Sequence, residues 1–420
     1  MRKSIIAAVA GSFFAVGMAQ AEETTIRVHY AHPNIFSKIQ EKLAVAFEAE
    51  HPEIKLDFDA PAESYETGVQ SLLRDAVANK LPDVAFAGLS TWRILEARGL
   101  TVPLDEFIGD EAAFEAQGYT PALRSLGQYN GKQHALAVAA STLVVYANPE
   151  LVERAGGDMD NFPTDFDGLI ELSAKINELD RRIEGAWVSP HDWRFQSFLG
   201  SFGGRPLNAD ETKVTFDSEA GIAAATVYSR LAEEGGMQFY EDSVARQAFN
   251  AGTLGLYIDS SSLMARVIEG AGDRFEVSVQ PFPIAAEDKA SVYLPTGGSG
   301  MVMLTEDKAK QDAVWKYMQF VSGPKGAKII VENSGYAPTN SLVVEDESYL
   351  GDFYKSNAGA RVAHAQVANY AGPWYAFPGD EGVAVTDVIL AGLIEVIEGE
   401  DPEEIIKDVA AEVRDSLELN

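Results

Sequence analysis

Aromatic rings set beside carboxylates and hydroxyls recur in short runs of this sequence, and these are the residues equipped for chemistry. Ser189-Pro190-His191-Asp192-Trp193 places an imidazole, a carboxylate and an indole together. Asp259-Ser260-Ser261-Ser262 joins an acid to three hydroxyls. Tyr336 stands just before Pro338, and Trp374-Tyr375 follows Gly372-Pro373. Planar rings stack on the C–H face of a saccharide while fixed polar groups take its hydroxyls, so these runs suit recognition of a polar solute. Each also has a plainer reading: Trp193, Trp374 and Tyr375 as packing, the serines as helix caps. His191 and Asp192 lack a third donor at metal-ligand spacing, and His29 and His32 read as hydrogen-bonded histidines. No metal or other cofactor is expected.

Leu294 to Met303 carries a different signal. Gly297, Gly298 and Gly300 flank Ser299 in a turn that runs into the apolar Met301-Val302-Met303. Without side-chain bulk, a ligand can lie against exposed backbone N–H groups. The stretch reads as a loop before a core strand or, more sharply, as a crossing between two lobes beside a cleft. No Gly-Lys-Ser/Thr follows, which excludes a nucleotide phosphate loop.

The elements that must position these residues are legible in order. Thr25–Tyr30 alternates as a strand, and Ile35–Glu50 has helical apolar spacing up to His51-Pro52. Strand Ile54–Asp59, helix Tyr65–Ala78 and strand Asp83–Ala87 complete β-α-β-α-β, a mostly parallel sheet under helices. Loops after such strands form the ligand edge, which brings together Tyr30, His32, Glu63, Tyr65, Ser90 and Thr91. Tyr129-Asn130-Gly131-Lys132 signals a hairpin, Ala137–Ser141 a small-residue crossing, and Thr142–Ala147 the first strand of a second unit. Further segments are Asp165–Glu178, Glu184–Val188, Arg194–Phe202, Ala220–Glu233 and Gln247–Asp259. After the glycine crossing come helices Ala309–Val321, Val383–Glu398 and Pro402–Leu417.

At 420 residues, two domains are expected. Arg2 and Lys3, an apolar run from Ile5 to Val16 and Ala19-Gln20-Ala21 read as a signal peptide cleaved after Ala21. The chain has no cysteine, so neither disulfides nor a lipidated cysteine is available. Loss of Arg2 and Lys3 takes the formal charge from −31 to −33. That balance argues against nucleic acid and anionic membranes as partners. It says little about the ligand, because screening over about 8 Å lets a local arginine dominate a pocket.

The order of landmarks resembles the extracytoplasmic solute-binding proteins of ABC importers, the family that includes the maltose- and glycerol-3-phosphate-binding proteins. Tyr129-Asn130-Gly131-Lys132 followed by Tyr146-Ala147-Asn148-Pro149-Glu150-Leu151 is similar to its first crossing. Gln247-Ala248-Phe249-Asn250-Ala251-Gly252 before an apolar strand is similar to its aromatic-x-x-Gly signature. Gly297-Gly298 resembles the second crossing, and Gly399 to Glu404 resembles the C-terminal segment. The resemblance implies an α/β, two-lobed type II periplasmic binding fold, each lobe a mixed, mostly parallel sheet with flanking helices, joined by a hinge. Residues 22–140 with 299–340 are expected to form lobe 1 and 141–298 with 341–420 lobe 2, with crossings near 137–142, 295–300 and 338–345. It further implies a periplasmic monomer that hands a solute to an inner-membrane ABC permease.

The ligand set expected from these readings is Tyr30, His32, Glu63, Tyr65, Ser90, Thr91, His191, Trp193, Asp259, Ser260, Gly297, Gly298, Ser299, Tyr336, Trp374 and Tyr375. Replacing Trp193 by alanine is expected to abolish most binding with the fold intact. Ser64-Tyr65-Glu66 resembles the glycerol-3-phosphate binders, yet Trp374 and Tyr375 stand where those proteins carry a phosphate-holding arginine. Arg93 and Arg194 are possible substitutes. A neutral sugar, oligosaccharide or polyol is therefore favoured, with glycerol-3-phosphate or a glycerophosphodiester as the alternative. Iron and polyamine binders share the architecture, but the tyrosines here are dispersed. A secreted carbohydrate-active enzyme is the rival of another class, although no Gly-x-Ser-x-Gly or His-Glu-x-x-His is present. No catalytic residue is expected.

Overall fold

The computed structural model describes residues 23–375, 377 and 384–418. The expected signal peptide and its cleavage site lie outside the described residues. The chain opens with β1 (Thr24–His29), α1 (Pro33–Glu50), β2 (Ile54–Phe58), α2 (Tyr65–Val77) and β3 (Val84–Gly88). In α1 the apolar spacing buries Phe36, Ile39, Leu43 and Phe47, and Pro33 sits in the first turn, where its missing N–H is harmless. Ser64 caps α2 through a capping box with Thr67, which fixes where that helix starts and which side chains its first turn presents. Short helices α3 (Trp92–Ala97), α4 (Asp105–Ile108), α5 (Glu111–Glu115) and α6 (Pro121–Ser125) lead to the hairpin β4 (Gln128–Tyr129) and β5 (Lys132–Gln133), then to β6 (Ala135–Ser141).

The second unit contains β7 (Leu143–Ala147), α7 (Pro149–Arg154), α8 (Phe166–Asn177), β8 (Glu184–Val188), α9 (Asp192–Ser201), α10 (Glu219–Glu233), α11 (Asp242–Asn250), β9 (Leu254–Ser260), α12 (Met264–Ala271) and β10 (Ser278–Pro281). The chain then runs through β11 (Leu294–Pro295) and β12 (Gly297–Met303) to α13 (Lys308–Ser322) and α14 (Pro324–Glu332). It closes with α15 (Ser341–Glu345), α16 (Glu347–Ser356), α17 (Ala358–Tyr370), β13 (Ala371–Gly372), α18 (Ala384–Ile397) and α19 (Pro402–Leu417).

Beside the short pairs β11-β13 and β4-β5, two larger sheets form among the described residues, ordered β2-β1-β3-β12-β6 and β10-β7-β9-β8. The pairing is mixed in both rather than mostly parallel. Only β1 with β2 and β1 with β3 are parallel in the first, and only β8 with β9 in the second. The reason is topological: β12 returns from the other lobe and enters antiparallel between β3 and β6. Helices α1 and α13 bury Phe47, Tyr317 and Met318 against Phe86, Met301 and Met303 of the first sheet. The second core gathers Tyr146, Trp187, Phe249 and Tyr257. No helix among the described residues is long and apolar enough to cross a membrane.

The passages between sheets lie side by side. Strand β6 ends at Ser141 and β7 starts at Leu143, while Gly297 and Gly298 pair with Ser141 and Ala140. Ala337 adds a bridge to Ala140. Gly298 has φ of 113°, and a Cβ there would lie 2.1 Å from the Ala139 carbonyl, so only glycine fits this crossing.

Candidate ligand cleft

A cavity of about 320 Å³ opens where the two sheets' strand ends meet. One wall comes from the first lobe: His32, Asn34 and Ile35 at the start of α1, Tyr65 and Glu66 in the first turn of α2, and Tyr336 beyond α14. The facing wall comes from the second: His191, Trp193 and Arg194 at the start of α9, Asp259 and Ser260 at the end of β9, then Ser262, Leu263 and Arg266, with Trp374. Ser141, Gly297 and Gly298 complete the lining.

Helix α9 begins at Asp192, two residues before the sequence suggested, because the His191 ring caps it by accepting the Trp193 N–H at 3.2 Å. This sets Trp193 in the first turn with its indole N–H donating to the Pro295 carbonyl at 2.9 Å. The indole lies against Gly297, where a Cβ would come within 3.1 Å of the ring. Trp193 is only 6% exposed, so it is a packed residue that shows the cavity an edge. Trp374 is half-buried, donates to Asp192 at 3.2 Å, and has its ring centroid 6.1 Å from that of Trp193. On the opposite wall His32 meets Tyr65 edge-on at 4.5 Å, and Tyr336 stacks on Phe36 at 5.6 Å. His32 holds φ of 54°, an uncommon left-handed conformation for a side chain of its size.

Charges in the second wall are largely paired. Arg194 donates to Asp259 at 2.6 Å and Asp242 at 2.9 Å, and Asp259 also takes the Ser260 N–H at 2.6 Å and the Tyr257 hydroxyl. Burial disfavours the guanidinium, but the Asp259 and Asp242 carboxylates outweigh it and raise the Arg194 pKa. Burial likewise opposes charge on His191, and hydrogen bonding to Asp192 at 3.0 Å overcomes it, raising its pKa. Protonated, that ring donates to Asp192; neutral, it accepts from Trp193. Burial lowers the His32 pKa against the pull of Glu66 and Glu63. Just behind the lining, Arg194 Nε has no protein partner, and the Tyr65 hydroxyl lies beside the Tyr336 and Ser299 hydroxyls without a well-aligned hydrogen bond to either. Burial holds the Tyr65 phenol well above its ordinary pKa, so it is a neutral donor.

Ten of the sixteen expected residues line the cavity: His32, Tyr65, His191, Trp193, Asp259, Ser260, Gly297, Gly298, Tyr336 and Trp374. Six do not. Tyr30 is buried with its ring edge-on to Phe58 and its hydroxyl 3.3 Å from Ser37. Glu63 precedes the cap of α2 and is exposed, whereas Glu66, two residues past the cap, lines the cavity. Ser90 and Thr91 are buried behind Tyr65, whose ring lies so close over Gly88 that a Cβ there would meet it at 2.8 Å. Ser299 lies one layer beneath the lining, fully buried. Tyr375 packs edge-on to Tyr293 at 6.0 Å, and its backbone is held by both ends of the Gln196 amide. Sequence reading missed Arg266 and Leu263 because α12 was not recognised. Met264, Val267 and Ala271 at helical spacing were the available signal, and they place Arg266 off the buried face. Arg93, weighed as an anion ligand, instead makes a bidentate pair with Glu211 of the second lobe at 2.7 and 2.6 Å and lies over the Tyr129 ring.

Residues 31–328 match the family of bacterial extracellular solute-binding proteins. The chain is 22% identical over 369 residues to the sn-glycerol-3-phosphate-binding periplasmic protein UgpB of Shigella flexneri, covering 84% of this chain and 82% of that protein. Its fold is similar to UgpB of Mycobacterium tuberculosis, solved with glycerophosphocholine, with a TM-score of 0.82 and 22% identity over 94% of this chain and 99% of that one. It is also similar to the GacH receptor of Streptomyces glaucescens, solved unliganded and with acarbose, with a TM-score of 0.78 and 23% identity over the same shares, 94% and 99%. With two sheets flanking one cavity and more than half of its length matched, the chain belongs to the bacterial extracellular solute-binding protein family.

Proposed function

We propose that the chain captures a carbohydrate-type solute in this cleft and delivers it to an inner-membrane ABC permease. The observation that carries the reading is the cleft itself. Aromatic edges of Trp193, Trp374, Tyr65 and Tyr336 surround Arg194 Nε, which no protein group satisfies, and the Tyr65 hydroxyl, which is poorly aligned on its hydroxyl neighbours. Such atoms are strong recognition groups, since leaving one unpaired costs about 1–3 kcal/mol. A cavity near 320 Å³ suits a solute of monosaccharide to disaccharide size. The acarbose bound by GacH favours a sugar, while the relatives that take glycerol-3-phosphate and glycerophosphocholine, together with Tyr65 and Glu66 in the lining, favour a polyol phosphate as the second reading.

Capture would proceed by closure of lobe 1 (22–140 and 299–340) on lobe 2 (141–298 and 341–420) about the adjoining crossings at Ser141–Leu143, Pro295–Gly298 and Ala337. The protein would act as a periplasmic monomer after removal of residues 1–21. Catalysis is not part of the reading: Asp259 is engaged by Arg194, Ser260 and Tyr257, which leaves Glu66 without a second free carboxylate to form a glycosidase pair. A thermal-shift panel of neutral sugars, polyols and their phosphates tests the proposal. A ligand at 100 times its dissociation constant adds about 2.7 kcal/mol. Recovery of an intact ligand after incubation supports a binder, and hydrolysis products or silence across the panel would overturn it.

A further inference from the structure

One cationic head in the cleft is not taken up by any carboxylate. Arg194 lies between Asp259 and Asp242, and Arg93 is spent on Glu211. The Arg266 guanidinium, also in the lining, makes no ion pair among the described residues and reaches the Asn34 carbonyl on the facing wall at 3.5 Å. The hydroxyls of Ser260 and Ser262, 2.8 Å apart and six and four residues earlier in the chain, line the same cavity where β9 gives way to the turn that starts α12. The same cavity wall holds Arg194, 8% exposed, whose Nε keeps an unpartnered N–H. Donors therefore concentrate on this wall. Its one lining carboxylate, Asp259, shares Arg194 with Asp242 behind it and also takes the Ser260 N–H and the Tyr257 hydroxyl. Glu66 belongs to the opposite wall, near His32, and suits hydroxyls at the other end of a solute.

We infer that Arg266, with Ser260 and Ser262, binds an anionic oxygen group on the solute, so that the ligand of this cleft is a phosphate ester or acid of a sugar or polyol. The inference rests on solute capture by the cleft and narrows the ligand class. A guanidinium fork with two hydroxyls matches the several acceptor oxygens of such a group, which a neutral sugar would use poorly. Only the anion would exploit the unpaired charge, so Arg266 would set specificity as well as affinity.

Calorimetric titration of the wild type, Arg266→Gln and Arg266→Lys tests this with two matched pairs, glycerol-3-phosphate against glycerol and glucose 6-phosphate against glucose, and with maltose as a further neutral sugar. The phosphorylated member of at least one pair should bind the wild type more tightly, with an affinity that falls as salt rises. Arg266→Gln should weaken that member by about 10- to 100-fold and its neutral partner far less; Arg266→Lys should recover part of the loss. The melting temperature of the unliganded variants should match the wild type, since Arg266 is half-exposed. Equal weakening of both members would overturn the inference, because it would assign Arg266 to joining the walls through Asn34. So would a preference that survives in Arg266→Gln, or tighter binding of the neutral member. In these cases capture by the cleft still stands. A wild type that binds none of the five probes would overturn both readings.

Discussion

Replacing Trp193 by alanine separates two roles that the sequence could not distinguish. The residue is 6% exposed, packs against Gly297 and donates to the Pro295 carbonyl at 2.9 Å. Removal of a buried aromatic costs about 3–5 kcal/mol, and the orphaned carbonyl adds roughly 1 kcal/mol or more. The expected result is therefore loss of binding accompanied by a lower melting temperature, not loss of binding with the fold intact. At 2–4 °C per kcal/mol, the scale for units of 150–250 residues, the drop is roughly 8–24 °C. Trp374 provides the contrast: half-buried at the cleft, it should lose ligand contact on conversion to alanine with a much smaller thermal effect. Scanning calorimetry and ligand titration on both variants and on Trp193→Phe make the test. The phenylalanine variant keeps a ring but gives up the hydrogen bond and part of the packed indole, so its loss should fall between the wild type and Trp193→Ala. A Trp193→Ala protein that melts with the wild type would refute the packing argument. Unchanged affinity in both alanine variants would refute the aromatic cleft.

Gly298→Ala should destabilise by several kcal/mol or prevent folding, since its Cβ would stand 2.1 Å from the Ala139 carbonyl at φ of 113°; a variant melting normally in calorimetry would contradict this crossing. Glu211→Gln should weaken the part-buried pair with Arg93 by about 1 kcal/mol or less. Because the pair joins the two lobes, small-angle scattering should show a shift towards extended conformers, and an unchanged profile would remove it from closure. The two cleft histidines should respond to pH in opposite directions. The raised pKa of His191 gives stability that is full below about 6.5 and lost as pH rises through its folded value, whereas the lowered pKa of His32 gives stability that is full above about 6.5 and lost as pH falls through its folded value. Melting curves of His191→Asn should lose the first dependence and retain the second; an unaltered profile would show that the Asp192 contact does not hold the proton.

Much of the fold was readable because burial imposes strict periodicity. Phe36, Ile39, Leu43 and Phe47 announce α1, and strand Glu184–Val188 is found at the bounds expected of it. The rule that loops after strands form the ligand edge brought two of its three segments to the cavity, those at His32 and Tyr65, while the loop holding Ser90 and Thr91 stays behind it. It could not say which side chain of each loop turns inward, because that depends on contacts made across the fold. The cap at Ser64 decides between Glu63 and Glu66, and the Tyr65 ring, lying over Gly88, shuts Ser90 and Thr91 out. Arg266 was invisible for another reason: α12 is short and amphipathic, with three buried residues, too few to stand out from the serine run before it.

The arrangement also explains why a solute, rather than the protein alone, would favour the joined state. Contacts from wall to wall among the described residues include the Arg93–Glu211 pair and the 3.5 Å Arg266 to Asn34 bond, both polar and part-exposed, and such pairs contribute about 0–1 kcal/mol. Against them stands Arg194 Nε, which disfavours an unfilled joined cleft by about 1–3 kcal/mol through lost hydration, with a smaller penalty from the Tyr65 hydroxyl, poorly aligned on Tyr336 and Ser299. Separation of the lobes hydrates these groups, whereas a solute between them supplies their partners. The balance should therefore reverse on binding, and the size of the reversal is the differential affinity available to signal occupancy. Tyr65→Phe isolates one part of it. Removing the hydroxyl removes a group that penalises the unfilled joined state, so the variant should populate compact conformers without solute while binding a hydroxyl-bearing solute about tenfold more weakly. Scattering and titration on the same sample read both effects, and a variant that binds as tightly as the wild type would show that this hydroxyl meets no ligand.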